Sequence, residues 1–188
     1  VSHYFRQNFS QVTNPPIDSL RENKVMSLKT RFGNLGNILD FDNLTEENIY
    51  VLDSPILTNS QFKKFKKFFS KKIKVIDCTF DVTTSLKDRI EIIRDEAETA
   101  VREGSTSLIL SDKNISNQKA SIPSILTVGA VHSHLVKNGL RGYCSLNVEC
   151  SDALDTHSFA VLIGVGATTV NPYLAIDSIY QRFEKKLF

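Results

Sequence analysis

The 188-residue chain has few cysteines and no paired cysteine motif. Its three cysteines, Cys78, Cys144 and Cys150, form an odd set without a C-x-x-C spacing. Such a set argues against a disulfide framework or a zinc site and favours free, buried thiols in a reducing compartment. The sequence also lacks a cysteine triplet for an iron–sulfur cluster, a P-loop and a nucleophile elbow.

Long apolar stretches are also missing. The two longest, around residues 122–131 and 159–167, are short and interrupted by glycine or polar residues, so neither predicts a membrane span. Because the first residues carry no apolar signal core, the sequence predicts a cytoplasmic protein without a membrane partner. The chain does not begin with methionine, which suggests a piece of a longer polypeptide.

An excess of charge of one sign occurs in a single segment. The net charge is +2, but residues 59–74 hold seven lysines and no acid, so a surface that coats nucleic acid is not expected. Within this segment Phe62, Phe65 and Phe69 recur at helical spacing over residues 61–71, with lysines opposite. The pattern predicts an amphipathic helix whose phenylalanines pack in the core. It leaves open an interaction module that docks on anionic membranes or RNA through this helix.

The rest of the chain alternates strand and helix patterns. With 41% hydrophobic and 23% charged residues, its composition is that of a globular protein. The alternation predicts an α/β fold of repeated βα units with a parallel sheet, either open or a partial TIM-barrel-like arrangement. The expected strands cover 49–52, 73–79, 107–110, 144–149 and 167–170, and the expected helices cover 86–102, 122–137, 156–163 and 172–183.

An N-terminal loop-and-helix arm over residues 1–42 is predicted to precede this α/β core over residues 43–188. Its central stretch reads QVTNPPIDSLRE, residues 11–22. The two successive prolines stiffen an elbow, because they fix the backbone and remove two hydrogen-bond donors. The apolar spacing after the elbow predicts a helix over residues 20–32.

Polar side chains follow several of the predicted strands. They are Asp77, Asp81, Ser111, Asp112, Glu149 and Asp152. Because parallel strands end at one edge of a sheet, these carboxylates could act as acid and base or bind a metal, or they could simply cap helices and satisfy loops. One hypothesis is therefore a stand-alone α/β enzyme that uses Asp77, Asp112 and Glu149 on a phosphate-bearing small molecule.

Histidines and a glycine pair suggest further sites that their spacing does not favour. His132 and His134 would point about 200° apart on a helix, so we expect structural roles for them and for His157 rather than metal binding. Residues 164–167, Gly-Val-Gly-Ala, hold two of the three glycines of a dinucleotide fingerprint. They follow a predicted helix, so a helix end is expected there instead of a cofactor site.

Five stretches of the sequence, in order along the chain, carry a family resemblance. They are QVTNPPIDSLRE at 11–22, IPSILTVGAVH at 122–132, GLR at 139–141, FAVLIGVGA at 159–167 and NPYLA at 171–175. Together they resemble the central domain of the large (alpha) chain of glutamate synthase, and the likeness covers nearly the whole chain.

The resemblance implies part of an oxidoreductase of glutamate biosynthesis and ammonia assimilation, which makes two glutamates from glutamine and 2-oxoglutarate. This segment, an incomplete central domain, would join the glutamine amidotransferase domain to the flavin domain of the same chain and line the ammonia passage. For the parent enzyme the resemblance implies FMN, an iron–sulfur cluster and an electron donor, either a small subunit or ferredoxin. The segment itself is expected to hold no catalytic, cofactor or metal site and to be inactive alone.

The resemblance also directs attention to particular residues of the N-terminal stretch. A passage for neutral ammonia needs a rigid wall with few mobile charges and a few hydrogen-bonding groups. Gln11, Thr13 and Asn14 beside the two prolines are therefore expected to form passage wall. Arg6 and Arg21 are expected to be domain-docking contacts.

Overall fold

The computed structural model describes Leu20, residues 26–32 and residues 49–187. In these ranges the elements are β1 (Thr30–Phe32), β2 (Tyr50–Leu52), α1 (Asn59–Phe68), β3 (Ile73–Asp77), β4 (Thr79–Asp81), α2 (Leu86–Arg102), β5 (Ser107–Ser111), β6 (Lys119–Ser121), α3 (Ser124–Lys137), a 3₁₀ turn (Arg141–Tyr143), β7 (Ser145–Glu149), α4 (Thr156–Val165), β8 (Thr169–Asn171) and α5 (Tyr173–Glu184). The chain divides into two compact units, Val1–Pro55 and Ile56–Phe188. Within the described ranges, no helix combines the length and the apolar character that a bilayer span requires.

The described part of the first unit is a short antiparallel strand pair. Strand β1 pairs with β2, and Thr30 lies opposite Leu52. The prediction of a helix over 20–32 is therefore wrong in its described part, since residues 26–29 have no regular secondary structure and the strand follows. β-branched and aromatic residues such as Thr30 and Phe32 suit a strand once a partner strand is present. The predicted strand over 49–52 is confirmed.

The second unit is built on a four-stranded parallel sheet. Its strands lie side by side in the order β3, β5, β7, β8, and Ile56 adds a single parallel bridge to Val170 beside β8. Along the chain, each strand of this sheet is followed by the strand that pairs beside it. Helices α2, α3 and α4 lie in the three connections and make the crossovers that parallel pairing requires. The predicted α/β fold with a parallel sheet is confirmed, and the partial-barrel arrangement stays a prediction.

Helix α2 shows how local sequence sets these elements. It begins after Ser85, whose hydroxyl accepts a hydrogen bond from the backbone N–H of Asp88, and its bounds are those predicted. Gly104 follows its end with a φ of 95°, a conformation that glycine adopts without steric cost. Its buried residues, which include Ile93 and Ala97, recur at helical spacing on one face.

The two faces of the parallel sheet differ in polarity. Leu108, Leu110, Leu146 and Val148 point to one face and join the hydrophobic core that helices α2, α3 and α4 complete. Because side chains alternate along a strand, their neighbours point to the other face. Most of these neighbours are polar and buried, namely Ser107, Ser111, Asn147, Glu149, Thr169 and Asn171.

Two features of the second unit were not predicted. The expected strand over 73–79 is two strands, because β3 ends at Asp77 and β4 turns away to pair antiparallel with β6. Helix α4 runs past Gly164 to Val165, and Gly166 ends it with a φ of 131°. The prediction that the 164–167 stretch ends a helix is nevertheless confirmed.

Candidate functional site

Polar side chains gather at the carboxyl edge of the parallel sheet. We call them the strand-end cluster, which consists of Lys66, Asp77, Ser111, Asp112, Lys113, Glu149, Ser151, Asp152 and Tyr173. The structure confirms the predicted placement of Asp77, Asp112 and Glu149 at the ends of β3, β5 and β7. Asp81 does not join them, because it ends β4 in the antiparallel pair and accepts hydrogen bonds from Thr83.

Glu149 lies at the centre of the strand-end cluster. It is 3% exposed and accepts a hydrogen bond of 2.8 Å from the Ser111 hydroxyl. The ammonium groups of Lys66 and Lys113 each lie 3.0 Å from its Oε1. Burial acts to raise the pKa of Glu149, but the hydrogen bonds from Lys113, Ser111 and Lys66 outweigh it and hold the pKa below its usual range. The carboxylate is therefore a fixed anion, unsuited to carrying protons near neutral pH.

The Asp77 carboxylate also accepts hydrogen bonds from residues of the same unit. Its Oδ1 accepts hydrogen bonds from the backbone N–H and the hydroxyl of Thr79, at 3.0 and 2.8 Å. Its Oδ2 accepts from the Asn114 amide at 3.0 Å. Burial acts to raise the pKa of Asp77, and these hydrogen bonds outweigh it to give a lowered pKa. This carboxylate fixes the turn after β3.

Asp152 caps a helix that lies elsewhere in the sequence. Its two oxygens accept from the backbone N–H and the hydroxyl of Ser124, at 2.9 and 2.7 Å. Ser124 begins α3, and the preceding Pro123 has no side-chain group to cap that helix. The structural alternative for the strand-end acids, that they cap helices and satisfy loops, therefore holds for Asp77 and Asp152.

Asp112 differs from the other acids of the cluster. It is 4% exposed, and its Oδ2 accepts from the backbone N–H and the hydroxyl of Ser151, at 2.9 and 2.6 Å. Its buried Oδ1 has no hydrogen-bond partner among the described residues. Burial, the charge of the nearby Asp112 carboxylate and a hydrogen bond between the Tyr173 hydroxyl and Asp112 raise the pKa of Tyr173 to about 12. The ammonium group of Lys113 lies 5.0 Å from the centre of the Tyr173 ring.

A second cluster, which sequence reasoning missed, surrounds Arg141 at the opposite edge of the sheet. The guanidinium donates hydrogen bonds to the carbonyls of Cys144 and Gly166 and to the Thr168 hydroxyl, and its Nε donates to His132 Nδ1 at 3.2 Å. Burial and then the charge of Arg141 lower the pKa of His132, so the ring stays neutral and can accept this bond. We call these five residues the Arg141 cluster.

The other histidines and the cysteines do not converge on a site. His134 Nε2 lies 2.6 Å from a Glu98 carboxylate oxygen in a half-buried pair between α2 and α3, whereas His132 accepts a hydrogen bond from Arg141. Burial raises the pKa of the Cys78 and Cys150 thiols. In the ranges the structure describes, no group of three or more His, Cys, Asp or Glu residues is arranged to hold a metal ion.

Two of the three phenylalanines of α1 lie in the protein's own core, whereas Phe68 is exposed. Phe62 is 2% exposed and Phe65 is fully buried, which confirms the predicted packing for these two residues. Phe69 is half-buried and follows the end of the helix, which covers Asn59–Phe68 instead of the predicted 61–71. Lys66 extends from the same helix to Glu149. The apolar stripe needed for docking on a membrane is therefore covered within the unit.

The residues predicted to form the ammonia passage or to dock other domains are in the N-terminal stretch. They are Gln11, Thr13 and Asn14 for the passage and Arg6 and Arg21 for docking. All five lie outside the described residues. Their roles stay predictions.

Comparisons with known proteins agree over the whole chain. The sequence matches the family described as the glutamate synthase central domain over residues 1–188. It is 54% identical to the glutamate synthase [NADPH] large chain of Azospirillum brasilense over 191 residues, covering 100% of this chain and 12% of that protein.

Other relatives show lower identity over nearly the same span. Identity is 40% to the chloroplastic ferredoxin-dependent glutamate synthase of Oryza sativa subsp. japonica, over 95% of this chain and 11% of that protein. It is also 40% to the glutamate synthase [NADPH] large chain of Bacillus subtilis, over 97% of this chain and 12% of that protein. The chain thus spans about one eighth of the length of these curated relatives.

Proposed function

Because the chain belongs to the glutamate synthase central domain family, we propose that it joins the amidotransferase and flavin domains of a glutamate synthase large chain and lines the ammonia passage between them. The match to residues 1–188 is the observation that carries this proposal. In the proposal, residues 1–42 form the arm that contributes Gln11, Thr13 and Asn14 to the passage, and Arg6 and Arg21 dock the neighbouring domains. The predicted cytoplasmic location belongs to the same proposal.

Most of the strand-end carboxylates accept hydrogen bonds from other residues of the same unit, which supports a structural role for the α/β unit. A catalytic acid or base must be free to meet a substrate. Glu149 instead bonds two lysines and a serine, Asp77 bonds Thr79 and Asn114, and Asp152 caps a helix. A stand-alone enzyme that uses Asp77, Asp112 and Glu149 is therefore the weaker hypothesis.

The iron–sulfur cluster implied for the parent enzyme does not fit the described residues. A cluster needs several cysteine thiolates around one centre. Cys78, Cys144 and Cys150 are buried thiols, and burial raises the pKa of each one. In the proposal the cluster and FMN belong to other parts of the parent chain, as does the contact with an electron-donating subunit or ferredoxin.

The passage assignment is tested by Thr13→Leu in the full-length enzyme. A bulky apolar side chain in the wall should block transfer of ammonia, so glutamine hydrolysis should continue while reductive formation of glutamate falls severalfold. The measurement is the amount of electron donor oxidised per glutamine consumed. Added ammonium should restore reductive glutamate formation, because it bypasses the amidotransferase domain.

Thr99→Leu is the matched control for this experiment. Thr99 lies on α2 and is exposed, so the same substitution there should leave the ratio at its wild-type value. An unchanged ratio in Thr13→Leu would remove Thr13 from the passage and leave the domain-joining role intact. Loss of both half-reactions without rescue by ammonium would also contradict the passage assignment.

A further inference from the structure

Helix α5 carries an apolar stripe that faces solvent. Ile179, Tyr180 and Phe183 recur at helical spacing, and Leu187 continues the stripe beyond the last turn. These four side chains, which we call the α5 stripe, are 59%, 61%, 72% and 59% exposed. No residue of α5 is buried, whereas the apolar face of α2 lies in the core. Because an amphipathic helix ordinarily buries its apolar face, an exposed stripe of this kind indicates an interaction surface.

Contacts within the second unit hold α5 at a fixed place. In its first half, Asp177 Oδ1 accepts a hydrogen bond of 2.7 Å from the Asn59 amide of α1. At its end, the backbone N–H of Leu187 donates to the Arg182 carbonyl at 3.0 Å, which keeps Leu187 against the last turn. The α5 stripe is therefore a fixed feature of the unit's surface.

The size of the α5 stripe favours a partner that belongs to the same polypeptide. Four side chains of this kind leave roughly 400 Å² accessible to solvent, at about 100 Å² each. A stable complex between separate proteins buries about 800 Å² on each partner. A second copy of the chain would therefore need contacts well beyond the stripe. A domain of the same polypeptide needs less area, because the covalent linkage raises its effective concentration.

The charge pattern of α5 gives the chemistry of the partner surface. The α5 stripe carries no charged side chain, and Asp177 and Arg182 lie on other sides of the helix. A charged group buried against the stripe would have no counter-charge, so the partner surface must be apolar. The chain spans about one eighth of the length of the relatives it matches, and in those relatives most of the polypeptide lies outside the matching region.

We propose that the α5 stripe docks on an apolar surface of another domain of the parent large chain, a domain that lies outside residues 1–188. The proposal rests on the proposed function, because it needs a parent chain in which this segment joins other domains. It adds to that function a contact surface on the described part of the chain, separate from Arg6 and Arg21 and from the residues proposed for the ammonia passage.

Photo-cross-linking in the full-length protein that contains this chain tests the proposal. Phe183→p-azidophenylalanine keeps the aromatic ring, and on illumination the azide loses N₂ and the resulting nitrene inserts into a bond of a neighbouring group. We expect cross-linked peptides from the parent chain outside residues 1–188, while the denatured product keeps the mass of one chain. Cross-links confined to residues 1–188, a product heavier than one chain, or reaction with solvent alone would each overturn the proposal.

Gln181→p-azidophenylalanine is the matched control. Gln181 is exposed on the same helix and points about 200° away from Phe183. This variant should give the same cross-linked peptides in severalfold lower yield. Equal yields from the two positions would contradict the assignment of the α5 stripe as the docking face.

Hydroxyl-radical footprinting of the unmodified full-length protein keeps the proposal testable if the variants do not fold. Tyr180 and Phe183 should be oxidised severalfold more slowly in the native protein than in urea, because docking covers them. Similar rates in both states would overturn the proposal. If the α5 stripe is exposed while Thr13→Leu still uncouples glutamine consumption from glutamate formation, the docking surface is wrong and the proposed function stands.

Discussion

Single residues hold distant parts of the second unit together through half-buried charge. Arg141 donates hydrogen bonds to the backbone carbonyls of Cys144, before β7, and of Gly166, before β8. It also donates to the neutral His132 ring. Because a guanidinium partly removed from water is costly unless its donors are satisfied, the half-buried Arg141 fixes the geometry at the edge of the sheet where β7 and β8 begin. Gly166 belongs to the Arg141 cluster because its backbone carbonyl is an acceptor and its Cα leaves space for His132.

The importance of Gly166 can be tested against Gly164 in the same turn. Gly166→Ala should destabilise the fold by at least about 1 kcal/mol, because a φ of 131° disfavours any side chain and the new methyl group would clash with the His132 imidazole. Gly164→Ala meets no neighbouring atom and should change stability little or slightly raise it. Thermal or urea unfolding measures both variants, and equal effects would contradict this account of the turn.

Secondary structure follows local sequence where apolar residues recur at helical spacing and a capping residue marks the start of the helix. Helix α1 begins with a capping box, in which Thr58 and Gln61 bond each other's backbone N–H groups. Helix α2 has 17 residues, long enough for its apolar face to recur over several turns. In both helices the sequence shows apolar residues on one face and a capping residue before the first turn, and the structure buries that face.

The apolar face of α2 gives a matched pair of adjacent residues. Ile93 is fully buried, whereas Ile92 is 48% exposed. Ile93→Ala should destabilise the fold by about 2–5 kcal/mol through lost burial and a cavity. Ile92→Ala should cost much less, since it removes little buried surface. Equal losses in an unfolding experiment would show that the assigned face of α2 is wrong.

The elements and contacts that sequence reasoning missed depend on pairing between distant residues. The apolar spacing up to Phe32 is compatible with a helix, and only pairing with β2 makes it a strand. β4 and β6 are short strands about forty residues apart that are stable only as a pair. Likewise, the strand-end acids were predictable from the ends of parallel strands, but their partners Lys66 and Asn114 were not.

The whole second unit is an α/β layer whose sheet has one apolar and one polar buried face. On the polar face, Thr169 donates to Asn147, which in turn donates to Ser107, and Glu149 binds the two lysines at the carboxyl edge. Satisfied polar networks of this kind add rigidity to a core. A rigid unit whose polar groups are bound to one another suits the proposed task of holding two catalytic domains in place.

Glu149→Gln in the full-length enzyme tests the central claim that the chain contributes structure and no catalytic group. The amide cannot form the charged bonds to Lys66 and Lys113, so we expect a loss of about 1–3 kcal/mol in the stability of this domain and a lower unfolding temperature. The exposed Glu91→Gln serves as the control and should leave stability nearly unchanged.

The decisive measurement is kcat for glutamate formation in Glu149→Gln, at a temperature where the variant remains folded. The account predicts a kcat within about twofold of wild type, together with the lowered unfolding temperature. A kcat reduced about 100-fold or more, with an unchanged unfolding temperature, would show that Glu149 acts in catalysis and would contradict the account.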